Sequence, residues 1–275
     1  MRRSVIAAET LKIALLVFLG AAAWVPVFLA LNMSFKTPAE IMRQYWALPA
    51  WPLRLENYRD AWVYTHQYLL NSIYVSGLSA LLTVFIGSIA GYAFARLRFV
   101  GKGLFFGAVL VLLLIPTVVT LIPRFVLARD LGILYTHWGL ILPYVAAAQP
   151  LTIFLLRGFF AQLPEELIEA ARIDGASEFT IYYRIILPLS VPIVVTAGLL
   201  NVQTTWNQFI WPLIALRDDS MRPITVGLQV LSSELVGDYG PLMAAYVLSA
   251  VPMLILFMFT MRYFVRGLTS GALKQ

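Results

Sequence analysis

Apolar residues along this chain come in long runs separated by short polar stretches. Six runs stand out, at about 11–32, 69–95, 104–128, 138–160, 189–212 and 243–265. Each is near or above the ~20 residues a helix needs to cross a hydrocarbon core. The pattern predicts an all-α membrane protein with six transmembrane helices. Pro116, Pro123, Pro143, Pro150, Pro192 and Pro252 fall in or near the runs. In a soluble helix they would argue for breaks, whereas in a bilayer neighbouring helices can satisfy the carbonyls they free. The first run follows Arg2 and Arg3 and contains Ala21, Ala22 and Ala23, the layout of a signal peptide. It continues through Trp24 to Leu31, longer than a signal core, and reads as a retained first span. Two polar segments, 33–68 and 213–242, are long enough to carry structure. Trp46, Trp51 and Trp62 in the first suit interfacial anchoring or contact with a partner.

The break between the fourth and fifth runs is different in kind. It gathers Glu165, Glu166, Glu169, Asp174 and Glu178 within a chain that has few charges. Its local signals predict two short helices with a turn between them. Pro164 suits a first turn, where its missing N–H costs nothing, and Glu165 and Glu166 then favour the positive helix end. Gly175 can end the first helix in a left-handed conformation. Ser177 is a cap for the second helix, which Pro188 disturbs near the next span. Leu167, Ala170 and Ala171 share one side of the first helix by their spacing. That small apolar side, flanked by Glu165, Glu169 and Arg172, suits docking into a groove of another protein; an amphipathic linker is the plainer reading.

The spacing carries a resemblance. Glu169-Ala170-Ala171, three residues, Gly175, nine residues, then Ile185-x-Leu187-Pro188 resembles the EAA loop of type I, binding-protein-dependent ABC importer permeases. Further pieces fit in the same order: 32–37, 56–58, Asn71-Ser72, 91–96, 131–133, Trp206-Asn207 and the tail 267–274, where the final Gln275 replaces a frequent glycine. The likeness covers nearly the whole chain and is closest to the shorter permease of maltose-type carbohydrate importers. It implies a type I permease fold with a cytoplasmic coupling helix, in one transmembrane domain 1–275 with a core at 67–265 and a coupling loop at 161–188. In such an importer the loop docks on an ATPase subunit, so Leu167, Glu169, Ala170, Ala171, Asp174, Gly175 and Pro188 become the ATPase-coupling residues. The implied partners are a second, homologous permease, two copies of an ATP-binding subunit and an extracytoplasmic solute-binding protein. ATP and Mg would sit on the partner ATPase subunits and no cofactor on this chain. The expected location is a bacterial or archaeal cytoplasmic membrane, with both termini cytoplasmic.

Composition agrees with a membrane role. The chain is 60% hydrophobic and 12% charged, with a mean hydropathy of +0.81, where a soluble domain has about 25% charged residues. The net charge of +6 could suggest nucleic acid, but the basic residues sit mostly at span ends. Six crossings put Arg2, Arg3, Lys12, Arg96, Arg98, Lys102, Arg157, Arg172, Arg184, Arg262, Arg266 and Lys274 on one side. Lys36, Arg43, Arg54, Arg59, Arg124, Arg129, Arg217 and Arg222 fall on the other. The positive-inside rule makes the first side cytoplasmic, most firmly at the short stretch 96–102. The same rule places the Glu169 loop where ATP is.

The sequence offers no catalytic or metal-binding pattern. Cysteine is absent, His66 and His137 are far apart, and no Gly-x-x-x-x-Gly-Lys-Ser/Thr loop occurs. Ser72, Ser76, Ser79 and Ser88 have no obvious base to activate them and suit helix packing. The fifth run holds the most informative polarity. At about 100° per residue, Asn201, Thr204, Thr205 and Gln208 share a face, with Gln203 and Asn207 beside it, and Val202, Trp206 and Phe209 point away. Such an arc must face protein or water. It suits either interhelical hydrogen bonding or the lining of a solute pathway, with Thr117, Thr120 and Gln149 as weaker candidates. The expected function is the permease half of an ATP-driven carbohydrate importer. An ion-coupled secondary transporter or a stand-alone membrane enzyme is the alternative, disfavoured by charges that avoid the span centres.

Overall fold

A computed structural model describes the backbone of residues 2–272 and the side chains of residues 9–263. Arg2, Arg3, Arg266, Lys274 and the tail 267–275, used above for orientation and resemblance, lie outside the described side chains. Among the described residues the regular structure is entirely helical. The chain begins with α1 (Arg2–Met33), α2 (Pro38–Arg43), α3 (Glu56–Arg96), α4 (Lys102–Val111), α5 (Leu121–Asp130) and α6 (Trp138–Phe160). Then come α7 (Glu165–Ile173), α8 (Glu178–Ile181), a π-helical turn (Tyr182–Ile186), α9 (Leu187–Leu189) and α10 (Val191–Trp206). The chain closes with α11 (Ile210–Ala215), α12 (Ile224–Glu234) and α13 (Tyr239–Ala272).

Among the described residues, four helices are long and apolar enough to cross a bilayer: the 9–33 part of α1, α3, α6 and the 239–263 part of α13. A fifth crossing results if the 178–189 segment and α10, bent by 79° at their junction, count as one span. The third apolar run departs from the expected single helix. It forms α4, a 3-10 turn (Leu112–Leu114), a non-helical stretch and α5. Ile115 is extended at ψ 116, as the residue before a proline prefers, and Pro116 has no N–H with which to rejoin the ladder.

The chain divides into two compact units, Met1–His66 with Leu228–Val251, and Gln67–Gly227 with Pro252–Gln275. In the first unit, two of the sequence pieces noted above, 32–37 and 56–58, meet. Asn57 is buried and donates through Nδ2 to the carbonyls of Ser34 and Lys36, both at 2.9 Å. Lys36 is itself buried and donates to the carbonyls of Gln44 (2.9 Å) and Tyr45 (3.1 Å). Loss of hydration holds its ammonium below the usual lysine range. Thr37 and Glu40 form a reciprocal capping box on α2. A side chain at Gly240 would meet Asn57 Nδ2 at 2.6 Å, so a glycine is required against this knot.

In the second unit, α3 and α6 pack closely because α3 presents Gly87 and Gly91 one turn apart. A Cβ at Gly87 would lie 2.5 Å from Thr152 Cγ2, and one at Gly91 would lie 3.1 Å from Leu156 Cβ and 3.2 Å from the Arg157 backbone nitrogen. Small residues at such crossings let the two backbones approach in a membrane. One core cluster gathers Leu140, Ile141, Tyr144, Trp211 and Ala215. Another joins Tyr92, Leu156 and Phe160 to Ile168, Ile181 and Ile186. The second cluster ties the 161–188 loop to the spans.

Candidate functional site

Loop construction follows from a few residues. Pro164 lies just before α7, at φ −56 and ψ 131, one position earlier than the expected first turn. Glu165 and Glu166 occupy that turn. The helix ends at Gly175, whose φ is +81. Gly175 N donates to the Arg172 carbonyl (3.0 Å) and Ala176 N to the Ala171 carbonyl (2.9 Å), the paired bonds of a Schellman ending. Ser177 caps α8, its Oγ accepting from Thr180 N at 3.3 Å. Pro188 stands in α9 next to the 79° bend. It cannot donate to the Arg184 carbonyl as a helix would require, and the wider π-helical turn immediately precedes it.

Two faces of α7 differ sharply. Ile168 is fully buried, packed with Phe160, Ile181 and Ile186. Leu167, Glu169, Ala170, Ile173 and Asp174 are exposed. Ala171 is half-buried and packs against the same inner cluster as Ile168. On a helix Ala171 falls about 40° from Leu167 and about 60° from Ile168, between the outer and inner faces. The expected trio is therefore split: Leu167 and Ala170 face outward, and Ala171 belongs mostly to the inner contact. Phe179 on α8 and Tyr183 on the π-helical turn, both exposed, stack with ring centroids 6.5 Å apart.

A chain of charges fastens the loop to the end of α3. Arg96, with its side chain 8% exposed, donates to the Phe160 carbonyl through Nε (3.0 Å) and Nη2 (2.7 Å), to the Leu163 carbonyl, and to Glu165. Arg172 Nε donates to Glu178 Oε1 at 3.0 Å, and Tyr92 Oη donates to Glu178 Oε2 at 2.6 Å. The hydrogen bond to Glu178 holds the Arg172 guanidinium above its ordinary pKa. Sequence reading used Arg96 for orientation and for its place in a motif, and it passed over Ile168. The three-residue step from Ile168 to Ala171 was the available signal for the anchor. Nothing local announces that Arg96 and Glu165 meet across 69 positions.

The polar arc of α10 divides in a similar way. A cleft of about 350 Å³ opens beside α5, α6, α10 and α11, and Asn201, Thr204, Thr205 and Gln208 stand on its wall with Thr117. Gln203 and Asn207 are exposed and lie off this wall, with Asn207 Nδ2 donating to the Gln203 carbonyl at 2.8 Å. Asn201 Nδ2 also donates to Thr83 Oγ1 on α3 at 3.2 Å. Interhelical bonding and cleft lining thus both occur on this face. Thr120 lines an adjoining, more apolar cleft of about 490 Å³, and Gln149 Nε2 donates to the Thr83 carbonyl at 3.3 Å.

This arrangement sits inside the segment that known proteins match. The model for the inner membrane component of binding-protein-dependent transport systems matches residues 83–270. The chain belongs to this family. It is 39% identical over 251 residues to the probable ABC transporter permease protein YurM of Bacillus subtilis, across 90% of this chain and 83% of YurM. It is 36% identical to the arabinooligosaccharides transport system permease protein AraQ of Halalkalibacterium halodurans, across 92% of both chains. Among solved structures, a chain of a bacterial ABC transporter involved in the import of the acidic polysaccharide alginate superposes with a TM-score of 0.83. It is 23% identical and covers 95% of this chain and 98% of that one. The shared fold is that of an ABC importer permease. The protein is accordingly a multi-pass permease subunit of an ABC transporter, and both the 161–188 loop and the α10 arc lie within the family-matched segment.

Proposed function

We propose that this permease forms one half of the channel of an ATP-driven carbohydrate importer, and that α7 transmits the motion of a partner ATPase into the spans. The observation that carries the coupling role is the two-sided build of α7. Its inner face is locked by Ile168 and by the Arg96–Glu165 contact, while Leu167, Ala170 and Ile173 are exposed and stand outside the cluster around Ile168. A groove on an ATPase subunit is the fitting occupant, and Glu169 and Asp174 border the contact. Closing of two ATP-loaded subunits would push α7, and the push would pass through Arg96 to α3 and to the carbonyl end of α6. The 79° bend at Pro188 would carry it into α10. ATP and magnesium belong to those partner subunits, because this chain has no phosphate-cradling loop. A second permease completes the channel and an extracytoplasmic binding protein delivers the solute. The Glu169 loop and both termini are on the cytoplasmic side.

The carbohydrate assignment is supported by relatives named for arabinooligosaccharides, for diacetylchitobiose, and for melibiose, raffinose and stachyose. Its test is uptake of a radiolabelled saccharide retained by the cognate binding protein, in cells carrying all subunits. Uptake should require both this chain and ATP hydrolysis by the partner. Asn201→Leu and Gln208→Leu should lower it more than Val202→Leu at equal expression. Equal loss in all three variants would remove the α10 arc from the pathway, and uptake of no saccharide would remove the substrate class.

A further inference from the structure

The cleft beside α10 contains more chemistry than its polar arc. Arg124, on α5, is part of its wall. Its guanidinium carbon lies 5.2 Å over the Trp211 ring, and its Nη2 donates to Thr120 Oγ1 at 3.1 Å. No carboxylate pairs with it among the described residues, and no Asp or Glu lines either cleft. A guanidinium has five N–H donors, so most of its hydrogen-bonding capacity is unused. Two further wall residues are 95% or more buried yet incomplete: Tyr144, 5% exposed, and Asn201, 4% exposed. Tyr144 Oη and Asn201 Oδ1 have no hydrogen-bond partner among the described residues. The Asn201 amide nitrogen is held on Thr83, which leaves the carbonyl oxygen as the free end.

Leaving a buried polar atom unpaired costs about 1–3 kcal/mol, and a lone arginine in a span region marks a solute pathway or a partner. The free groups form one set. They include a charged multiple donor, a phenol able to donate or accept, and a carbonyl that only accepts. Arg124 can donate to a saccharide hydroxyl, and the Asn201 carbonyl can accept from one. The uncompensated positive charge repels any cationic solute.

We infer that this chain itself holds a saccharide subsite in which Arg124, Tyr144 and Asn201 bind the hydroxyl groups of a sugar unit carrying no positive charge. This rests on the carbohydrate reading above and adds the residues and the charge rule. Tyr144 and Asn201 are buried members of the wall, and binding in this subsite includes a local opening that brings them to the sugar. Arg124 and Thr204 meet it first.

The natural absence of cysteine allows a direct test in the full transporter, read on this chain's own gel band. Thr204→Cys places a thiol on the exposed part of the wall. In membrane vesicles with all subunits, an anionic methanethiosulfonate should label it about tenfold faster than a cationic one, the size expected for a focused charge. Adding Arg124→Gln should abolish that preference. Raffinose, arabinotriose or an alginate trisaccharide, whichever the cognate binding protein retains, should slow labelling at least about threefold when ATP is present, as a site occupied most of the time requires. Tyr144→Phe should weaken this protection. No labelling, no charge preference, or labelling unchanged by a saccharide that the same vesicles import would overturn the subsite while leaving the importer reading intact. Failure of wild-type vesicles to import any of the three probes would overturn both.

Discussion

Gly175→Val and Ala170→Asp will each cut ATP-driven uptake sharply while leaving the permease folded in the membrane, by two different routes. Gly175 has a φ of +81 and open space where the Cβ of a valine would sit. The substitution costs backbone conformation, about 1–2 kcal/mol for a left-handed residue with a side chain. Relief of that strain opens the Schellman ending held by Gly175 and Ala176, and the outward face of α7 turns relative to whatever it docks on. Ala170→Asp keeps the backbone, since Ala170 is exposed, and instead puts an unpaired charge into an apolar contact. Neither residue lies in a span. Membrane insertion and binding-protein affinity should remain at wild-type levels, with uptake and ATPase co-purification both reduced at least about tenfold, the effect of roughly 1.4 kcal/mol. Normal association and uptake in both variants would make the loop a plain connector.

Arg96→Met should be the most damaging single change at the root of the loop. The side chain is nearly buried and bonds the carbonyls of Phe160 and Leu163 as well as Glu165. Hydrogen bonds involving a charged group contribute about 1.5–3 kcal/mol each, and the carbonyls left behind stay under-satisfied. Arg96→Lys should recover little, because an ammonium cannot reproduce the planar fork that reaches two carbonyls and a carboxylate. Arg98→Met, at an exposed position two residues on, is the control. Thermal unfolding of the purified complex and protease cleavage within 161–178 are the readouts. The expected result is a lower midpoint and faster loop cleavage in Arg96→Met and Arg96→Lys, with Arg98→Met unchanged. Equal behaviour of Arg96→Met and Arg98→Met would mean that the α3 end does not position α7.

Much of the loop was legible because its signals are local. Gly175 and Ser177 announce a left-handed ending and a cap through their own backbone and side-chain chemistry, and both occur where expected. The all-helical membrane architecture was legible from run length alone. The break in the third apolar run was not, because hydropathy counts apolar residues and is blind to the extended conformation that Pro116 imposes on Ile115. Pro143, Pro150 and Pro252, which looked similar in sequence, are absorbed inside α6 and α13. The position of a proline therefore does not tell which outcome will follow; packing against neighbours decides. Spacing also grouped Leu167, Ala170 and Ala171, but only the fold shows that Ile168 is the anchor and that Ala171 turns inward with it. Long-range partners such as Arg96 with Glu165, or Asn201 with Thr83, leave no trace in periodicity. The same holds for Arg124: its charge was visible, and its place over Trp211 in the cleft was not.

On the coupling role proposed above, the outward face of α7 meets the ATPase, on the cytoplasmic side. Ala170→Cys in this cysteine-free chain tests it most directly, using a short thiol-specific cross-linker and a single cysteine scanned along the groove of the partner ATPase subunit. The account predicts a cross-linked permease–ATPase product from vesicles and no labelling of the introduced thiol by an impermeant reagent outside intact cells. Labelling from outside, or a stable permease–ATPase complex with no cross-link at any groove position, would contradict it.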